Sequence, residues 1–324
     1  MEMGRAHGLD ADALERLRVV VTETALNIVR HAGTGQIILR PVGEQSSGSI
    51  EMLAVDKGRG IGDMTRVMRD EGAPAGVAGR DGGLAAVRRL ADLFDIYSQV
   101  GRGTAVVAHV RTRDGDDDAR YDESVTGGCI GVVCRASDGE EECGDAWAVD
   151  VTAGCMTALL VDGLGHGPEA AVAALAAISV FRDAPADAPE LILGSMHAAL
   201  HDTRGAALSV TLVDRVRGTA RFCGVGNVDG RVTTPDSNRH LIPQSGIVGH
   251  TMPHAVAAEV PWPADARLVM NSDGISSRWQ AENYPGLLAR HPALLAGVLF
   301  RDCARKRDDA TVLVLRDIVP AAGQ

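Results

Sequence analysis

The 324-residue chain is 45% hydrophobic and 23% charged, a globular composition with enough length for two cores. An aromatic content of 3% and a formal net charge of -11 exclude a nucleic-acid binder, because bases find no stacking surface and phosphate meets a repelling field. The opening residues hold no apolar segment of signal-peptide length, and the longest apolar run, residues 171–181, is too short to span a bilayer. The expectation is a cytoplasmic protein with no membrane segment. Its six cysteines lack both C-x-x-C pairing and histidines at zinc-site spacing, so free thiols are expected.

Residues 10–31 read as an amphipathic helix, with Leu14, Leu17, Val21 and Ile28 as its apolar stripe and Asp10 or Asp12 at its start. Two strands follow in "GQIILRPVGE" and "GSIEMLAVDKG", then a second amphipathic helix in "LAAVRRLADLF" and a hairpin in "FDIYSQVGRGTAVVAHVR". The acid-rich stretch from Asp114 to Asp118 marks a solvated linker. The chain therefore divides into a first domain over 1–112, a linker over 113–122, a second domain over 123–318 and a tail over 319–324. In the second domain, short strands ("GDAWAVDVT", "MTALLVDG", "ALSVTLVDRVRGTARFCGVG", "ARLVMNSDG", "ATVLVLRD") are interrupted by helices near 168–181 and 188–203. This predicts a mixed α/β domain with a large antiparallel content.

Asp145, Asp162, Asp273 and Asp308 each stand where an apolar strand begins or ends. Any one of them alone reads as a turn or cap residue. Four gathered at one sheet rim would repel unless a cation neutralised them, and the lack of nearby Cys or His ligands selects a hard ion, Mg²⁺ or Mn²⁺. Water activation for attack on phosphorus is the chemistry such a rim serves. In "DGLGHG" the glycines let the backbone approach a ligand, and Gly163 can offer its carbonyl.

In the first domain, Glu23 and Asn27 share one polar helix face with His31. "AVDKGRGIGD" ends a strand in Asp56 and bends through Gly58, Gly60 and Gly62. "GRDGGLAAVRRL" then opens a helix on glycines, an arrangement suited to phosphate, while a carboxylate behind a glycine turn suits an amino group on a base.

The ordered set "GEEECGDAWAVD", "TALLVDGLGHGPEA", "GVGNVDG", "SGIVG", "LVMNSDGIS" and "RDDATVLVL" resembles the SpoIIE/RsbX-like branch of the PPM (type-2C) metal-dependent serine/threonine phosphatases over residues 123–318. The resemblance implies a four-layer αββα sandwich holding two Mn²⁺ or Mg²⁺ ions, with water attacking phosphoserine or phosphothreonine directly. It casts Asp162 and Asp145 as catalytic metal ligands, with Gly163, Asp273 and Asp308 completing the set. Asp309 is then the neighbour to be told apart from the ligand, and His166 belongs to the motif without needing to touch metal. Cys143 stands where these phosphatases often carry serine.

Residues 5–110 resemble the GHKL (Bergerat-fold) ATPases of the RsbT-like switch-kinase and anti-sigma type, an α/β sandwich that here is incomplete at its start. That resemblance implies ATP with Mg²⁺. It makes Glu23 the general base or water positioner, Asn27 the Mg²⁺ ligand and Asp56 the adenine-reading acid. Gly58 and Gly60 floor the adenine site, and Gly79, Gly82 and Gly83 lie along the phosphates.

The combined expectation is a phosphatase acting on a phosphorylated STAS-domain partner and coupled to a switch-kinase domain. A sigma factor or downstream switch protein is a further partner, no nucleic acid or membrane is involved, and a homodimer is left open. Two other readings share parts of the pattern. One is a non-catalytic regulator whose degenerate kinase domain sequesters the partner, since Asp81 stands where the middle glycine of the usual run would be. The other is a metal-dependent hydrolase of nucleotides or diesters, which would want a basic, aromatic-lined surface.

Overall fold

The computed structural model describes residues 1–43, 48–65, 83–113, 128–152 and 154–317. The acid-rich stretch 114–118 and Gly79, Asp81 and Gly82 lie outside the described residues. The first half runs α1 (Glu2–Ala6), α2 (Ala11–His31), β1 (Gly35–Pro41), β2 (Ser49–Asp56), α3 (Gly83–Leu90), β3 (Leu93–Gln99) and β4 (Gly103–Arg111). The second runs β5 (Ile130–Arg135), β6 (Asp145–Val151), β7 (Cys155–Gly163), α4 (Pro168–Asp183), α5 (Pro189–Ala199), β8 (Ala206–Asp214) and β9 (Thr219–Val225). It continues through β10 (Asp229–Thr234), β11 (Ser237–Leu241), β12 (Ala258–Pro261), β13 (Arg267–Asn271), α6 (Pro292–Cys303) and β14 (Ala310–Arg316). None of the described helices is long and apolar enough to cross a membrane.

The chain forms two compact units, one of Met1–Gly128 with Tyr284–Arg301 and one of Cys129–Asn283 with Asp302–Gln324. In the first, Asp10 caps α2 by accepting a hydrogen bond from the Ala13 amide at 2.7 Å. The sheet is antiparallel in the order β1-β2-β4-β3. On one face Ile50, Met52, Ala54, Val106 and Ala108 pack with Leu17, Val20 and Ile28 of α2 and Val87 of α3.

Strand residues alternate between faces, so Glu51, Leu53, Val55, Val107 and His109 turn to the other side, and all five are buried. Helix α6 covers that side: a Cβ on Gly297 would lie 3.0 Å from both Leu53 and Val55. The sequence reading groups 284–301 with the second domain, and in the structure this segment packs within the first unit. A strand buried on both faces needs a second covering layer, and this segment supplies it. Beneath it Glu51 stands opposite His109 in register and bonds His109 Nε2 at 2.9 Å and Arg40 at 3.0 Å. Burial pushes the Glu51 carboxyl up, but Arg40 and then His109 outweigh it and hold the group at about 2.

Helix α3 stops at Leu90, short of the helical reading through Phe94, because Leu93 and Phe94 begin β3 and pair with His109 and Ala108 of β4. Asp92 fixes the turn by accepting from the Arg111 amide and from Arg16, each at 2.9 Å.

In the second unit two five-stranded sheets, β11-β10-β13-β14-β5 and β12-β9-β8-β7-β6, meet face to face. Met156, Leu160 and Phe222 of one pack with Val232, Leu268, Met270 and Leu313 of the other. The alternate residues of β7 and β8, Leu159, Val161, Leu208 and Val210, face Ala177, Phe181, Leu193 and Met196 of α4 and α5. Helix α5 ends at Ala199, before the expected 203, where the Thr203 hydroxyl donates to the Leu200 carbonyl at 2.8 Å.

Candidate functional site

Antiparallel pairing sets Asp145, the first residue of β6, directly opposite Asp162 near the end of β7. On the facing sheet β13 and β14 are antiparallel neighbours, so Asp273, just after β13, and Asp308, just before β14, come to one end of that pair. Ser272 Oγ donates to Asp145 Oδ2 at 2.7 Å while accepting from the Thr311 amide at 3.0 Å. Asn227 Nδ2 donates to Asp273 Oδ2 at 2.7 Å. The structure thus gathers the four aspartates singled out by sequence, and adds Ser272 and Asn227 as orienting partners that the sequence did not reveal.

Asp309 is set apart. Its two oxygens accept from the Ser137 and Gly144 amides at 2.7 and 2.8 Å, and the residue is 3% exposed. Both lobes of this carboxylate are therefore engaged in holding the 137–144 loop. Gly163 has a steric reason beyond any ligand, since a Cβ there would sit 2.2 Å from the Ala170 carbonyl oxygen. His166 is exposed and pairs through Nδ1 with Glu140 Oε1 at 2.7 Å, one loop away from the carboxylates.

The crowding changes proton affinity. Burial, followed by repulsion from Asp145, Asp273, Asp308 and Asp309, pushes Asp162 up to about 8. Burial also pushes Asp145 up, to about 7, against the opposing hydrogen bond from Ser272. Asp308 is raised as well, by burial first and then by Asp273. Among the described residues no ion pair brings a basic side chain to Asp145, Asp162, Asp273 or Asp308. Hard oxygen donors whose negative charge has no cationic partner fit Mg²⁺ or Mn²⁺.

In the first unit α3 begins against the polar face of α2. A Cβ on Gly83 would lie 2.9 Å from Asn27 Nδ2 and 3.0 Å from Glu23 Oε2, so those three residues are brought together. Asn27 Nδ2 is buried with no hydrogen-bond partner among the described residues. Asp56 Oδ1 accepts from the Gly58 amide at 2.8 Å and the Thr104 amide at 3.2 Å. Gly60 has φ +70°, and a Cβ there would meet the Gln99 carbonyl oxygen at 2.3 Å. His31 closes α2 and is exposed.

Paired antiparallel sheets with aspartates at the rim define a PP2C-type phosphatase domain, here joined to a histidine kinase-like ATPase domain. The family model for Stage II sporulation protein E (SpoIIE) matches residues 152–317, and that for the histidine kinase-like ATPase domain matches residues 1–110. The chain belongs to the SpoIIE family through its second half and carries an RsbT-like domain in its first. It is 37% identical over 93 residues to the serine/threonine-protein kinase RsbT of Bacillus subtilis (strain 168), a match spanning 29% of this chain and 68% of RsbT.

Among solved structures, one from work on the bacterial stressosome as a modular system adapted to control secondary messenger signaling is 30% identical. It has a TM-score of 0.54 and covers 58% of this chain and 98% of that one. RsbX in complex with magnesium is 18% identical at a TM-score of 0.52, covering 57% of this chain and 94% of its own. The PP2C phosphatase domain of Bacillus subtilis SpoIIE with a fragment of its regulatory domain is 16% identical at a TM-score of 0.51, covering 94% and 89%. The last two likenesses show the fold.

Proposed function

We propose that this protein is a cytoplasmic, Mn²⁺- or Mg²⁺-dependent protein serine/threonine phosphatase that acts on a phosphorylated STAS-domain partner. The observation that carries the reading is the Asp145–Asp162 cross-strand pair, joined electrostatically by Asp273 and Asp308 in a cluster that has no cationic ion-pair partner among the described residues. Asp145, Asp162, Asp273, Asp308 and the Gly163 carbonyl would hold two ions. When bound, such ions lower the pKa of coordinated water and offset the charge of a phosphoryl group. Ser272 fixes one oxygen of Asp145, leaving the other for a ligand, and Asn227 does the same for Asp273. Asp309 holds the loop that leads into Asp145.

The likeness of the first domain to RsbT and the 30% identity to a stressosome structure support a STAS-domain partner and a role in partner switching. In this reading the first domain binds ATP with Mg²⁺ through Glu23, Asn27, Asp56 and Gly83. The Asn27 amide of α2, unpartnered among the described residues and set against Gly83 at the start of α3, supports that assignment.

The test is Mn²⁺-dependent phosphate release from p-nitrophenyl phosphate and a phosphoserine peptide, comparing the wild-type chain with Asp162→Asn. The expected outcome is activity that requires the metal and falls by about 10³-fold or more in the variant, the scale of losing a group central to catalysis. Equal activity in the variant, or release from a diester in preference to the phosphopeptide, would refute the assignment.

A further inference from the structure

We infer that Cys134 and Cys143 form a redox-modification site: a hydroperoxide-class oxidant joins them in a reversible disulfide that disturbs the carboxylate rim. The two sulfur atoms lie 3.6 Å apart, and neither residue is fully buried. A disulfide bond is about 2.05 Å long, and closing the remaining gap needs side-chain rotation with a modest shift of the loop. Cys134 sits on β5 opposite Thr311 of β14, which places it on one sheet. Cys143 ends the loop that enters β6 of the other sheet. The bond would thus tie the two sheets together beside their rim.

The connection to the rim is short. Only Gly144 separates Cys143 from Asp145, and the Cys134 thiol already approaches the Asp145 carbonyl oxygen at 3.7 Å. Gly144 donates to Asp309 Oδ2 at 2.8 Å, and its carbonyl accepts from the Gly163 amide at 3.0 Å. A Cβ on Gly144 would meet both Ala170 and Asp309 Oδ2 at 2.7 Å, so the backbone there is enclosed on two sides. Drawing Cys143 toward Cys134 therefore pulls on a packed segment that sets the Asp145–Asp162 pair, and the bridged protein binds its cation more weakly. This last step rests on the proposed metal-dependent reading, whereas the bridge itself does not.

The chemistry balances with one peroxide per pair. One thiol gives up its proton and attacks hydrogen peroxide as the thiolate; the O–O bond breaks, one oxygen stays on sulfur as the sulfenic acid, and the expelled hydroxide takes up a proton and leaves as water. The second thiol then attacks that sulfur, the S–S bond forms, the S–O bond breaks, and a second water leaves. The pair is oxidised by two electrons and the peroxide is reduced. An added dithiol reverses the bond by exchange.

The test treats the full-length, metal-free protein with one equivalent of hydrogen peroxide, then maps alkylated peptides and measures intact mass. Wild type is expected to lose two of its six titratable thiols and about 2 Da, the two hydrogens of the pair. A cross-linked peptide should contain Cys134 and Cys143, and dithiothreitol should restore both thiols. Cys134→Ser and Cys143→Ala should each yield no bridge. Calorimetry with Mn²⁺ should give affinity weakened about tenfold or more in the oxidised wild type, the scale for disturbing groups behind metal ligands, and no change on oxidising Cys134→Ser.

Retention of all six thiols, or a bridge through any other cysteine, overturns the site. A mapped bridge with unchanged Mn²⁺ affinity overturns the coupling to the rim. Reduced protein that binds no Mn²⁺ sinks the metal reading and the coupling together, while the peptide map still decides the bridge.

Discussion

Two adjacent aspartates at the entrance to β14 separate structure from chemistry at the scale of a single residue. Asp309 gives both oxygens to backbone amides and is buried, whereas Asp308 is partly exposed and its charge is opposed by Asp273. Asp309→Asn replaces one acceptor with an NH₂ group facing an amide. It should cost about 1–3 kcal/mol of stability, read as a lowered urea midpoint, because a buried N–H is left unsatisfied. Asp308→Asn should not lower that midpoint, since it removes a charge opposed by Asp273, and should weaken Mn²⁺ binding by about tenfold or more; the reverse pattern would exchange the two roles. Sequence position singled out the four carboxylates that the structure brings together because aspartate is a poor strand residue and all four bordered apolar runs. It could not supply Ser272 or Asn227, since a serine or asparagine in a turn has many local uses and its distant partner depends on how the sheets meet. Cys143 was visible as a departure from serine, but its closeness to Cys134 was not, because the two approach only when the sheet holding β5 meets the sheet holding β6.

The same division holds for whole elements. Elements built from local signals were legible: α2 begins at its Asp10 cap, and the short apolar run in "TALLVDG" gives β7. The end of α3 was not, because helical periodicity in "LAAVRRLADLF" continues past Leu90 while pairing with β4 claims Leu93 and Phe94. Tertiary pairing outweighs a weak local preference there. The destination of α6 was equally hidden, since its apolar residues suit any core. Its fit to β2 makes a sharp prediction: Gly297→Leu places a side chain where even a Cβ lies 3.0 Å from Leu53 and Val55. Overpacking of this kind should destabilise the chain by about 1–3 kcal/mol, measured by denaturant unfolding, whereas substituting the exposed Leu175 on α4 with Ala should cost far less. A neutral Gly297→Leu would mean that α6 does not seat on β2 as described.

For the molecule as a whole, the carboxylate rim ties stability to pH and to metal. An aspartate in the unfolded chain titrates near about 3.9, whereas folding pushes Asp145 up to about 7 and Asp162 up to about 8. Between those limits the folded chain holds more protons than the unfolded one, so unfolding free energy falls as pH rises. The contribution of these groups is thus greatest near pH 4 and is lost as pH climbs through 7 to 8, opposite to the usual carboxylate that gains a basic partner. Glu51, held at about 2, slopes the other way, but its stabilising contribution is lost only as pH falls below the ordinary glutamate range toward 2. Metal-free protein should therefore melt at lower temperature at pH 8 than at pH 6. Asp162→Asn should narrow that difference and raise the metal-free melting temperature at pH 8, by a stability on the order of 1–3 kcal/mol. Saturating Mn²⁺ should stabilise the wild type more at pH 8 than at pH 6, because binding at the lower pH must first displace protons, and should do little for the variant. The substitution that removes catalysis is then expected to strengthen the empty fold. Melting curves with and without Mn²⁺ decide it: a variant less stable than wild type in chelator at pH 8 would show that Asp162 serves the fold and not the ion.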